Sequence, residues 1–405
     1  MQNKKHLLIL CSHFFPIKHI ASYRMNAFVK YLDHSKFDIT VATTSLQKNK
    51  TTGTYYAANV LYLPFNPFFR LRKQKESMPK WKHVLFSINN KLMRYFFQSD
   101  YPGWKKRALK EIVKLHNKKK IDFVLSSFSP VDSHLIALEF KSLDRKIKWI
   151  ADMRDEMSLN QMLGKKERVY YSAIEKKILN NADLITSVSE PILRGFRKLS
   201  QNKNLKYLEI RNGFDHEEPL IKQKNETFTF VYAGTFYGKR KPNTFFKALK
   251  DLQDNKKLDI SWKIIFIGTP KNFSFPKEFD KKISFVRTMS NLEAIKLLSK
   301  ADCNLLIHPP SLAKGIFTGK LFDYLSVKKP ILALVDVEDV AADLIKKCNA
   351  GKPVDFYNID QIKAEILNLI KGWENQEERN YNESEVSRLH RKYQVLKLQN
   401  SMLQD

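Results

Sequence analysis

Two segments in the second half of the chain place glycine and cations at the start of a helix. The first, Gly234-Thr235-Phe236-Tyr237-Gly238-Lys239-Arg240-Lys241-Pro242, follows the apolar run Phe228 to Ala233 and leads into a helix from about Asn243. Glycine lets the backbone turn sharply, and Pro242 suits a first helical turn. A helix start already carries free N–H groups and partial positive charge, so cations placed there are unfavourable unless an anion joins them. This loop alone leaves a phosphate site and a solvated basic turn both open.

The second segment, Ala313-Lys314-Gly315-Ile316-Phe317-Thr318-Gly319-Lys320, runs into the apolar-patterned helix Leu321 to Leu325. Lys320 again faces the positive end of a helix, and Asp323, three residues on, shares its face. On that face a lysine can meet phosphates while a carboxylate accepts from a ribose diol. The alternative is a surface ion pair worth a few tenths of a kcal/mol. Two basic, glycine-bearing helix starts in one half of the chain favour a nucleotide.

In the first half, Asp152, Arg154 and Asp155 follow the strand-like run Trp149 to Met153, and His13 follows the run His6 to Phe14. Each is a candidate base or acceptor contact. Their bland roles are an Asp/Arg ion pair or a helix cap. His134 lies in a helical stretch and reads as packing. Hydrolase chemistry has no nucleophile-elbow sequence behind it, and neither H-E-x-x-H nor paired cysteines suggest a metal. No metal or resident cofactor is expected, and the leaving diphosphate falls to Arg240 and Lys320.

These residues need a frame, and the chain supplies one by alternating strand-length apolar runs with helix-length amphipathic stretches, the pattern of βαβ units on a parallel sheet. The alternation pauses over the polar stretch Asn212 to Glu226 and restarts at Phe228. The expected fold is α/β, with two Rossmann-like domains facing across a cleft and a helical C-terminal tail: residues 1–213 on the acceptor side, 214–375 for the nucleotide, and 376–405 as the tail. A chain of 405 residues has room for two such cores. Three widely spaced cysteines suit a reducing cytoplasm, and no apolar run reaches the roughly 18 residues a spanning helix needs.

The net charge of +29 predicts an anionic partner. Trp104 to Lys120 is a basic amphipathic stretch, and Phe65 to Arg72 and Trp81 to Phe97 interleave aromatics with cations, so contact with an anionic membrane surface is expected beside the plain reading of core-facing helices.

Residues 228 to 335 resemble the family-four glycosyltransferases of the GT-B fold. The resemblance is carried by Tyr232-Ala233-Gly234-Thr235, Arg240-Lys241-Pro242, Phe266-Ile267-Gly268, and Thr318-Gly319-Lys320-Leu321-Phe322-Asp323-Tyr324-Leu325 leading to Lys329-Pro330-Ile331-Leu332. Phe14-Phe15-Pro16, Ala151 to Asp155 and Ala182 to Ser189 match more loosely. The resemblance implies diphosphate contacts from Arg240 and Lys320, ribose contact from Asp323, and a donor-binding set that includes Asn212, Gly213, Gly234, Thr235, Lys241 and Gly319. It further implies metal-independent transfer, leaning towards retention. The family's paired glutamates appear here only as Asp323, because the earlier position is Gly315, and Arg154 and Asp155 fill the loop where many relatives carry a histidine. The expected activity is sugar transfer from a nucleotide-diphosphate donor to a glycan or lipid-linked acceptor in cell-surface polysaccharide synthesis, in the cytoplasm or on the inner membrane face. A nucleotide-sugar epimerase or a non-enzymatic polyanion-binding protein are the alternatives; no nucleic acid partner is expected.

Overall fold

The computed structural model describes residues 4–17, 20–66, 99–160, 163–216, 225–236, 238, 240–311 and 314–404. The chain divides into two compact units, Met1–Ile210 with Val395–Asp405, and Arg211–Gln394.

The first unit is built on β1 (Lys5–Leu10), β2 (Phe37–Ser45), β3 (Thr51–Tyr55), β4 (Ala58–Pro64), β5 (Phe123–Ser127), β6 (Lys148–Arg154), β7 (Leu184–Ser187) and β8 (Lys206–Glu209). Their order in the sheet is β3-β4-β2-β1-β5-β6-β7-β8, parallel except where β3 pairs antiparallel with β4. Helices α1 (Ile20–Tyr31), α2 (Trp104–Lys118), α3 (Asp132–Leu143), α4 (Lys165–Asn181) and α5 (Glu190–Leu199) accompany it. A parallel sheet covered on both faces wants nearly continuous apolar strands, and Leu7 to Leu10 are completely buried.

Along α2, Trp104, Ala108, Ile112 and His116 recur every four residues and face the core. Lys106, Lys110, Lys114 and Lys118 are exposed. The apolar stripe is therefore spent on the protein interior, which leaves this helix only its charged face for a membrane. The segments 67–72 and 81–97 lie outside the described residues. Among the described residues no helix is long and apolar enough to cross a membrane.

The second unit carries β9 (Phe228–Ala233), β10 (Trp262–Ile267), β11 (Ile283–Val286), β12 (Cys303–His308), β13 (Ile331–Val335) and β14 (Pro353–Asp355) in the order β11-β10-β9-β12-β13-β14, all parallel. Its helices are α6 (Asn243–Asp254), α7 (Asn291–Ser299), α8 (Gly319–Ser326), α9 (Val340–Lys347), α10 (Ile359–Glu374) and α11 (Glu383–Ser387). The chain leaves β9 for β10 and β11 on one side, then crosses to β12, β13 and β14 on the other. The switch point lies between β9 and β12, and the loops beyond their carboxyl ends are where such sheets bind ligands.

The last thirty residues are not a separate tail. Val386 and Leu389 join a core of the second unit, while the closing helix α12 (Arg391–Leu403) sets Val395, Leu398 and Met402 into the first unit's core beside Phe37, Ile39 and Ile210. Their three- and four-residue spacing makes one apolar stripe, and a stripe buries wherever a sheet face will cover it.

One buried charge pair anchors the first sheet. Asp152 in β6 is fully buried and accepts from Arg24 Nε (3.0 Å) and Nη2 (2.8 Å), Ser127 Oγ (2.9 Å) and Thr186 Oγ1 (2.7 Å). Burial alone would raise its pKa; the Arg24 guanidinium overrides this and holds it below the usual carboxylate range. Four donors from α1, β5 and β7 thus converge on one β6 carboxylate. Arg24→Ala leaves that charge buried and unpaired, and should destabilise the first unit by about 3–5 kcal/mol. Hydrogen exchange of the β6 amides, read at pH 7, checks this; protection equal to that of the unaltered protein would refute it.

Candidate donor site at the β9/β12 switch point

At the end of β9 the backbone turns at Gly234, with φ +101°, its N–H donating to Ile267 O (2.8 Å) and its carbonyl accepting from Thr269 Oγ1 (2.6 Å). A Cβ there would lie 3.4 Å from Lys320 Nζ, so the turn that needs glycine also leaves room for the lysine. Lys320, in the first turn of α8, reaches back across the switch point. Its Nζ donates to Tyr232 Oη (2.6 Å) and stands 3.9 Å from that ring's centre. Tyr324 Oη accepts from Ala233 N–H (2.9 Å), so two phenols tie α8 to the end of β9.

Lys320 does not pair with Asp323, and among the described residues no carboxylate pairs with it. Burial, then Arg240, pull its pKa down to about 7. His308, the last residue of β12, is 5% exposed, and burial, Arg240 and Lys320 together pull it down to about 4, against a smaller opposite pull from Asp336. Asp336 itself is ion-paired to Lys314. Three nitrogen bases therefore crowd one site. The N-cap of α8, Thr318, makes no side-chain capping bond, and its first turn holds no acid. Such a place can accept phosphate oxygens through backbone N–H groups and cations alike.

Asp323, one turn further along α8, is half-buried and accepts weakly from Asn291 Nδ2 (3.4 Å). Burial pushes its carboxyl up to about 6, with Arg391 pulling the other way. Thr235, Lys241 and Gly319 are exposed beside the site, while Tyr237 and Lys239 lie outside the described residues.

Asn212 and Gly213 pack on the segment that leads into the closing helix. Gly213 has φ +65°, and a Cβ there would lie 2.1 Å from Leu389 O. Arg391 Nε donates to Asn212 O (3.1 Å), and Phe214 N–H donates to Leu389 O (3.2 Å). The glycine is required by close backbone packing on residues 389–391. Gly315 has φ +90° and donates its N–H to Asp339 Oδ1 (2.8 Å), which also caps α9 through Val340 N–H (2.8 Å). A side chain from a different loop thus supplies a carboxylate at this turn. Asp339 and His308 were not singled out by sequence reasoning. His308 leaves one signal, a polar residue that ends an apolar strand before Pro309-Pro310.

In the first unit, Asp152 is no free base: its four donors and complete burial make it the partner of Arg24, an ion pair with a different arginine from the neighbouring Arg154. Arg154 adopts φ +54° where the β6/β7 register shifts, accepts at its carbonyl from Ser187 Oγ (2.6 Å), and lies 3.6 Å from the half-exposed Asp155. His13 is held at both ring nitrogens, by Ser12 Oγ at 2.8 Å and Tyr101 Oη at 3.2 Å. His134 is buried against Ser126 Oγ (2.6 Å), a packing role. Asp132, also missed in the sequence, is buried at the start of α3 and pushed up to about 6 by burial, with Ser99 and Asp100 N–H as donors.

No family model and no curated protein matches the sequence. Among solved structures, a sucrose-phosphate synthase from Thermosynechococcus elongatus superimposes with a TM-score of 0.64 at 12% identity over 99% of each chain. Anabaena HepE, in complex with UDP-glucose, gives 0.58 at 11% over 98% of this chain and 99% of that one. A UDP-GlcNAc 2-epimerase from Methanocaldococcus jannaschii gives 0.55 at 13% over 99% and 100%. At these identities the likeness establishes the fold, and this chain has the GT-B fold, with a Rossmann-like parallel sheet in each of its two units.

Proposed function

We propose that this protein is a glycosyltransferase whose second unit holds a nucleoside-diphosphate sugar. The observation that carries the reading is the crowding of Lys320, Arg240 and His308 at the β9/β12 switch point, with no carboxylate on Lys320. A bound diphosphate would relieve that repulsion, and as the glycosidic C–O bond breaks it would carry the developing negative charge. Lys320 and Arg240 stabilise that charge, while the acceptor hydroxyl bonds to the sugar carbon and gives up its proton to an oxygen of the departing diphosphate. Asp323, ionised at pH 7, is placed to accept from the ribose diol.

The acceptor falls to the first unit, where Arg154, Asp155 and His13 follow strands and are the groups for it; Asp152 serves by fixing Arg24 and the strand ends. A glycan or lipid-linked acceptor in cell-surface polysaccharide synthesis fits the charge of +29 and the exposed lysines of α2, which suit an anionic membrane face in the cytoplasm. The basic side chains take the place of a metal at the diphosphate, and retention follows from the family resemblance. A second reading is supported by the epimerase of the same fold: this donor site with no acceptor. Free nucleotide released only when acceptor is supplied separates the two, since an epimerase changes the sugar of the donor alone.

Two outcomes test the donor site. In a thermal-shift and calorimetric screen of UDP-, GDP-, ADP- and CMP-sugars, one donor class should stabilise the protein, with Lys320→Ala and Arg240→Ala each weakening it by roughly tenfold or more. No binding in the unaltered protein would refute the transferase reading. The second outcome concerns pH. Lys320 in the empty protein is neutral between about pH 7 and its ordinary pKa of 10.5. The unfolded chain binds the extra proton over that window, so this residue makes stability rise with pH there. A diphosphate restores the charge, so binding takes up on the order of one proton at pH 8 and affinity falls as pH rises. Calorimetry in buffers of different ionisation heat reads the uptake, and Lys320→Arg, charged throughout, should flatten it. Uptake undiminished in Lys320→Arg would show that another group carries the proton.

A further inference from the structure

The buried imidazole at the end of β12 is held by no hydrogen bond at its enclosed nitrogen. His308 is 5% exposed, and its Nδ1 is sealed from solvent without a hydrogen-bond partner among the described residues. It ends β12 at the switch point where the charges of Arg240 and Lys320 act on it, while Asp336, the acid whose charge opposes theirs, is engaged by Lys314. A buried polar group left unpaired costs stability, and two cations beside it make protonation costlier still. Packing does not require it, because the neighbouring strand residues Leu305, Leu306 and Ile307 are fully apolar and buried.

We propose that His308 is a third phosphate-contacting residue of the donor site, a neutral imidazole that donates its ring N–H to a diphosphate oxygen. The inference rests on the donor-site reading above and adds to it a residue outside the two basic helix starts. With Nδ1 enclosed and without a partner, Nε2 is the ring nitrogen left to meet a ligand, and a phosphate oxygen there selects the tautomer that carries the proton on Nε2. A neutral donor has a use here that a third cation would not. It adds a hydrogen bond to the phosphate without adding to the repulsion that Lys320 and Arg240 already exert, and burial, Arg240 and Lys320 favour its neutral form against the opposite pull of Asp336.

The test uses the full chain at pH 7, with calorimetric titration of inorganic pyrophosphate and of the same four nucleotide sugars. His308→Leu should weaken binding about 10- to 100-fold, the loss expected for a hydrogen bond to a charged group. It should also raise the melting temperature of the empty protein, because the unpaired polar group is gone. His308→Gln, which keeps an N–H near the Nε2 position, should retain binding to within roughly threefold by the same reasoning. In long-range proton–nitrogen spectra of the unaltered protein, the ring resonances that vanish in His308→Gln should shift when pyrophosphate is added. Binding equal to the unaltered protein in both variants overturns the role of His308 and leaves the donor site standing. Failure of the unaltered protein to bind pyrophosphate and all four nucleotide sugars overturns the donor site and this inference together.

Discussion

The second unit is organised around one unfavourable contact, a lysine held over the end of a strand beside an arginine. Charges in a partly dry site repel far more than in water, so Lys320 would not sit near Arg240 without restraint. The restraint is aromatic. Tyr232 takes the ammonium on its hydroxyl and beneath its ring, and it stacks on Phe236 at 4.3 Å between centres, with Phe266 and Phe273 behind. Tyr324 holds the other side of the join by accepting from Ala233. A cation–π contact worth about 0.5–2 kcal/mol is enough to favour this lysine rotamer. The resulting arrangement is preorganised: the amine is fixed over the end of β9 by groups of the second unit itself.

The first unit handles its charge in the opposite way. Asp152 is as deeply buried as any residue in the chain, and every one of its needs is met by Arg24, Ser127 and Thr186. A satisfied buried pair orients strands and helix without reactivity, because a carboxylate with four donors has little reason to take a proton. Removing one partner exposes the desolvation cost that the pair conceals. The two units thus follow a simple rule: the buried opposite charges at Asp152 are satisfied within the fold, whereas the like charges at Lys320 are not.

That rule also explains what the sequence could and could not convey. Strands β9 and β12 are legible to the residue because their apolar runs end abruptly at Gly234 and at His308. The hairpin of β3 and β4 is not, since Thr51 to Tyr55 is an edge strand of polar residues around Gly53, with no period to mark it. Lys320 stood out through its spacing from Gly319 and Asp323. Asp152 looked chemical in the sequence because an Asp after an apolar strand is seen without its partner, and Arg24 lies 128 residues away. The packing constraint on Gly213 was hidden for the same reason: the Leu389 carbonyl arrives from 176 residues downstream. Local patterns report what a residue can do, whereas long-range packing decides whether it is free to do it.

Gly315 and Asp339 carry this argument one step further. Position 315 bears no side chain, yet a carboxylate is present at its turn, delivered by the start of α9 and bonded to the Gly315 N–H. Because it accepts from two backbone N–H groups, it is fixed as tightly as a helix cap can be. A glycine at 315 suits the left-handed backbone there, φ +90°. The acid at this loop therefore serves to shape the turn that leads to Lys320, and among the described residues no carboxylate pairs with that lysine.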